Sequence, residues 1–197
     1  IGSQNRAMRS SKSALVSDHF GSGQSSTVPM TQAVQERPDM TDIELRIVSW
    51  NCGGGLRKKW QALAELNADL LVIQECENPA LAADPPYLEW AGNYLWTGPS
   101  KSKGIGVFAR NGLQLEQQPL DLGALEFFLP CTINGDWPLL ATWTSGASSG
   151  TFSYIGQLWR CLQLHKDFVN HPRGMVIGDL NSNTQWDRQH RTCSHSD

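Results

Sequence analysis

Three apolar runs, each closing on a short polar word, constrain this chain more than anything else in it. Ile47-Val48 leads into Ser49-Trp50-Asn51, Leu70-Leu71-Val72-Ile73 into Gln74-Glu75, and Met175-Val176-Ile177 into Gly178-Asp179-Leu180-Asn181. Apolar runs of this kind, bounded by turn residues, read as buried strands. Their polar ends are then expected along one rim of a sheet, where open α/β sheets bind ligands. Two carboxylates and two carboxamides gathered on such a rim suit a divalent metal and a phosphate.

Composition narrows the partners. The 197 residues, 40% of them hydrophobic, suffice for one domain with a sizeable core. A formal charge of −3 argues against a nonspecific polyanion binder. A nucleic-acid substrate stays compatible with that charge, because a bound metal supplies positive charge locally. The five cysteines are odd in number and form no Cys-x-x-Cys pair. Reduced thiols and a cytoplasmic location are therefore expected rather than a disulfide framework. No apolar run reaches membrane-spanning length, and a monomer is expected.

The chain divides early. Residues 1–39 hold eight serines and only short apolar stretches, too little to offset the entropy of ordering them. They read as a disordered Ser-rich tail, with Met40 as the expected natural start and 40–197 as the domain.

From Thr41 the pattern is dense. Strands are expected over Glu44–Asn51, Asp69–Glu75, Gly104–Arg110, Leu113–Gln118, Phe127–Ile133, Trp137–Trp143 and Met175–Gly178. Asn111-Gly112 and Asn134-Gly135-Asp136 carry hairpin chemistry. Helices are expected over Lys58–Asn67, with Trp60, Leu63 and Leu66 on one face, and over Tyr154–Val169.

The polar words fit phosphate-ester hydrolysis, which needs charge neutralisation, an oriented water and help for the leaving group. Magnesium takes oxygen ligands and often only one or two carboxylates. Glu75 at a strand end suits that ligand. Asp179 suits orientation or deprotonation of the attacking water. The Asn181 amide is placed to donate to the developing oxyanion or the water, and Asn51 to hold Glu75 or the hydration shell. Singly, such residues are ordinary turn formers; the ordered set of three carries the specificity.

That order and wording resemble the endonuclease/exonuclease/phosphatase superfamily, over roughly residues 45 to 190. The resemblance implies a four-layer α/β/β/α sandwich, Mg2+ (or Mn2+) as cofactor, and hydrolysis of phosphate esters, nuclease-like phosphodiester cleavage first. It implies Glu75 as the metal ligand, Asp179 and Asn181 as the water-orienting pair, and Asn51 as the supporting amide.

Two departures stand out. Members usually carry His or Tyr after the central strand matched here to Leu139–Trp143; Trp143 falls there, and an indole neither accepts a proton nor ionises. Tyr154 substitutes only if the following loop folds back. With Trp186, a stacking surface just past the third word, Trp143 and Tyr154 make up the expected substrate-contacting set. The family also closes on a Ser-Asp-His word. This chain ends at Cys193-Ser194-His195-Ser196-Asp197, where His195 reads as a loop histidine. The expectation is thus a domain lacking its last strands, weak or inactive as it stands.

Other features read as structure. Gly53-Gly54-Gly55 matches no phosphate-loop spacing, Arg57-Lys58-Lys59 reads as a solvated face, and His190, Cys193 and His195 lack a second ligand pair for zinc. Two alternatives stay open: a noncatalytic binding module that keeps the fold, and a phosphatase acting on lipid or sugar phosphates.

Overall fold

The computed structural model describes residues 44–146 and 153–183. The Ser-rich segment, Met40, Trp186, His190, Cys193 and His195 lie outside those residues.

The first half of the chain builds one mixed sheet. Its strands are β1 (Ile47–Asn51), β2 (Leu70–Cys76), β3 (Asn93–Ser100) and β4 (Lys103–Ala109), in the order β1-β2-β4-β3. The second half builds another from β5 (Leu115–Gln117), β6 (Phe128–Ile133), β7 (Trp137–Trp143) and β8 (Met175–Asp179), in the order β5-β6-β7-β8. The β1–β2 and β7–β8 pairs are parallel and the rest antiparallel.

The two-residue period of a strand sends alternate side chains to opposite faces, and that period produces the layers. Leu70 and Val72 of β2, with Ile105 and Val107 of β4, meet Leu129, Leu139 and Ala141 of the other sheet in a shared core. The alternate residues Leu71, Ile73 and Phe108 turn outward against Leu63 of α1 (Gln61–Ala64) and against Tyr87 and Ala91 of α2 (Pro85–Ala91). On the far side, Phe128 and Leu140 lie beneath Leu158 and Cys161 of α3 (Ile155–Leu164) and beside Phe168 and Val169 of α4 (Lys166–Val169). The result is the α/β/β/α sandwich. Among the described residues no helix is long and apolar enough to cross a membrane.

Several sequence expectations need correction. Asn111 and Gly112 do turn the chain, with φ of 53° and 79°, but β4 and β5 enter different sheets rather than pairing. The hairpin partner of β4 is β3, whose Gly98-Pro99 end hid it in the sequence. The helix expected over 58–67 shrinks to α1. The N–H groups of Lys58, Lys59, Ala62, Leu63 and Leu66 bond carbonyls three residues back, the tighter 3-10 pattern. The helix over 154–169 breaks at His165, which leaves helical geometry (φ −123°, ψ 32°) and sets its Nε2 2.8 Å from the Asp121 carbonyl oxygen. Of the three runs read as buried strands, only β2 is buried along nearly its whole length. Ile47 and Val48 are half-buried and Val176 is 39% exposed, because β1 and β8 are edge strands among the described residues.

Candidate functional site

Strand register brings the polar words together. Parallel pairing sets Asn51 opposite Gln74 at the end of β1. Beyond it, Gln74 pairs with Ile105 and Cys76 with Gly104, so Glu75 is the extra residue of a bulge. Its φ of 60° is uncommon for a residue with a Cβ. Bulges re-aim side chains, and strained backbone of this kind clusters at functional sites.

The second sheet supplies the facing half. Asp179 pairs with Trp143, and Gly178 with Thr142. Gly178 has φ of 150°, and a Cβ there would overlap the Thr142 carbonyl. Only glycine lets β8 come this close to β7. Thr144 continues the grip, its N–H donating to the Asp179 carbonyl at 2.9 Å and its hydroxyl to the same oxygen at 3.3 Å.

Asn51 joins the two sheets. Its Nδ2 donates to Glu75 Oε1 at 3.2 Å and to Asp179 Oδ2 at 2.7 Å, while its Oδ1 accepts from the Gly53 N–H at 3.1 Å. Asp179 is held further by Asn181, whose backbone N–H reaches Oδ1 at 3.0 Å and whose Nδ2 reaches Oδ2 at 3.2 Å. Asn181 Nδ2 also donates to the Thr144 carbonyl at 2.5 Å. Both amide hydrogens of Asn181 are therefore engaged, and in this arrangement the side chain pins Asp179; a bond to an oxyanion would require it to let go.

The structure thus gathers Asn51, Glu75, Asp179 and Asn181 into one network. It also adds a residue the sequence reading missed. Lys103 Nζ lies 3.1 Å from Glu75 Oε2 and 5.2 Å from the centre of the Trp143 ring. Trp143 itself is buried, 5% exposed, and packs on Phe127 at 4.8 Å between ring centres. Its face is turned to the Lys103 ammonium. Tyr154 stands at the start of α3 with its N–H donating to the Ser145 carbonyl at 3.0 Å, so the chain after β7 does return to that strand's end. Trp186 lies outside the described residues. Lys103 had no local signal, since it sits in a Lys-Ser-Lys run typical of a solvated turn. Thr144, just past the run matched to the central strand, was equally silent.

Two cysteines flank the site. Burial pushes the thiols of Cys52 and Cys76 up, which disfavours their thiolate forms. Cys52 Sγ instead donates to the Glu75 carbonyl at 3.4 Å.

The donor set fits a hard divalent cation. Its acceptors are carboxylate oxygens, the ligand type that magnesium selects, and Glu75 Oε2 already holds a cation in the form of the Lys103 ammonium. Glu75 would hold the metal, with Asp179 facing it across the Asn51 amide. Among the described residues no three His, Cys, Asp or Glu side chains form a cage.

No family model and no curated protein matches the sequence. Among solved structures the chain is similar to TDP2 from C. elegans, at 17% identity over 73% of this chain and 51% of that one, with a TM-score of 0.50. It is similar to truncated Caenorhabditis elegans TDP2 at 17% identity over 72% of this chain and 64% of that one, also with a TM-score of 0.50. This chain therefore spans about half to two thirds of the length of those proteins. The likeness is one of fold.

Proposed function

We propose that this chain is a divalent-metal-dependent phosphoesterase, with phosphodiesters as the preferred substrate class and nucleic acid as the first candidate among them. The observation that carries the proposal is the Asn51 amide, which bonds Glu75 from one sheet and Asp179 from the other. A structural role alone has little use for two carboxylates held together at a partly exposed rim.

Bound Mg2+ or Mn2+ would neutralise charge on the phosphate oxygens. Glu75 would hold it. Asp179, locked by three N–H donors, would orient a water and accept its proton at a carboxylate oxygen. Asn181 would keep that carboxylate in one rotamer, and Asn51 would fix its distance from Glu75. Positioning of this kind supplies much of the rate in phosphate chemistry.

Calorimetry with Mg2+ tests the first half of the reading, and hydrolysis of bis-p-nitrophenyl phosphate with and without EDTA tests the second. Glu75→Gln is expected to abolish Mg2+ binding with the fold intact, and Asp179→Asn to slow hydrolysis by at least about 10²-fold. Unchanged Mg2+ affinity in Glu75→Gln would refute the metal assignment. Metal and phosphate binding with no turnover would favour the noncatalytic binding module.

A further inference from the structure

Lys103 opens β4 just past the bulge that carries Glu75, opposite Ser100 of β3. Its ammonium touches both halves of the sandwich: the Glu75 carboxylate at 3.1 Å and, across the interface, the Trp143 ring at 5.2 Å. Its side chain is half exposed, whereas that of Glu75 is only 23% exposed. An ammonium has three N–H donors. With the carboxylate and the indole on two sides, solvent is left for the third.

We propose that Lys103 is a placeholder cation that Glu75 releases when a divalent metal is taken up, and that the freed ammonium then contacts the substrate phosphate. The proposal rests on the phosphoesterase reading and adds to it a phosphate-binding residue and an order of events. Lys103 cannot keep its contact with Glu75 Oε2 once that oxygen ligates a metal, because the two cations repel at that separation. Its release is easy. A half-exposed ion pair is weak, so its loss changes an equilibrium only about two- to fivefold. The Trp143 face, fixed by Phe127, keeps the ammonium at the site rather than in bulk solvent. The flexible four-carbon stem suits a charge that changes partner, as the rigid fork of an arginine would not.

The test compares the unaltered protein with Lys103→Met, which keeps the stem and removes the charge, by calorimetry with Mg2+ and then with inorganic phosphate. Without phosphate, Lys103→Met is expected to bind Mg2+ about two- to fivefold more tightly, since Glu75 no longer has a competing cation. When loaded with Mg2+, it is expected to bind phosphate about tenfold more weakly, the scale of one hydrogen bond from a charged group. Without Mg2+, the two proteins should bind phosphate alike, because Lys103 is still held by Glu75. Lys103→Arg should restore part of the phosphate affinity. Mg2+ affinity that is unchanged or reduced in Lys103→Met would overturn the placeholder role. Tighter Mg2+ binding with unchanged phosphate affinity would overturn the transfer to phosphate. If the unaltered protein binds no Mg2+, the phosphoesterase reading falls and this inference with it; if it binds Mg2+ and the Lys103 variants behave otherwise than stated, only this inference falls.

Discussion

Gly178→Ala is a sharp test of how the site is built, because it adds one methyl group where the two strands touch. The new Cβ would overlap the Thr142 carbonyl oxygen and lie 2.7 Å from its carbon. Carbon atoms settle at about 3.5–4.0 Å, so β8 would have to retreat from β7 by at least about 1 Å. Thr142 and Trp143 pair with Gly178 and Asp179, and such a retreat strains one or two ladder bonds, each contributing about 0.5–1.5 kcal/mol. Overpacking adds about 1–3 kcal/mol. A total near 3 kcal/mol should lower the urea midpoint by roughly 1–2 M. The same shift carries Asp179 away from Asn51, and a misplacement of about 1 Å costs on the order of 10²-fold in rate. Gly135→Ala is the control: its φ is also positive, at 71°, but a Cβ there meets nothing within 4 Å. Its cost should stay near 1–2 kcal/mol, with the site untouched. Urea unfolding followed by tryptophan fluorescence measures both variants. A Gly178→Ala protein unfolding at the same urea concentration as the unaltered one would refute the close-approach argument.

Asn51→Ala removes three hydrogen bonds at an exposed position, so it should lower stability by about 1 kcal/mol and Tm by roughly 2–4 °C; no shift on calorimetric melting would mean the sheets do not depend on that tie. Burial pushes the Cys131 thiol up to about 12 and that of Cys161 up to about 11. Their contribution is complete below the ordinary thiol range and fades as pH rises through the folded values, so Tm should fall between about pH 9 and 12 and less steeply in Cys131→Ala. Asp69 moves the other way, held below the usual carboxylate range by the Arg46 N–H and then by the Asn111 amide. Its contribution is present above about pH 4 and lost as pH falls through the lower folded value. Asp69→Asn should flatten the acid limb of an unfolding titration, and an unchanged limb would argue against that pairing.

The residues that were legible in the sequence are those whose local pattern matches their final role. Leu70 to Ile73 form a continuous apolar run because β2 is covered on both faces, and Asn51, Glu75 and Asp179 stand out because a polar residue closes each run. The Asn134-Gly135 turn was legible because β6 and β7 are neighbours in one sheet. Asn111-Gly112 has the same chemistry and misled, since a turn motif fixes the reversal of the chain but not which strand it then pairs with. That choice is made by the shared core, where β4 and β5 are drawn to different sheets. The helix α2, which Asp84 caps by accepting from the Tyr87 N–H, was not anticipated from the sequence. Lys103 and Thr144 carried no local signal, because they matter through contacts with residues 28 and 35 positions away, and spacing along the chain does not encode such contacts.

The order of the strands has a consequence for assembly. Every described strand before Arg110 belongs to one sheet and every described strand from Leu115 to the other. The site divides at the same seam, with Asn51, Glu75 and Lys103 on one side and Trp143, Thr144, Asp179 and Asn181 on the other. Neither half alone can set Glu75 beside Asp179. Cut within 111–114 and produced as two pieces, the protein would rebuild the Glu75–Asn51–Asp179 network only when the pieces find each other, so the hydrolysis proposed above would serve as a direct gauge of their reunion.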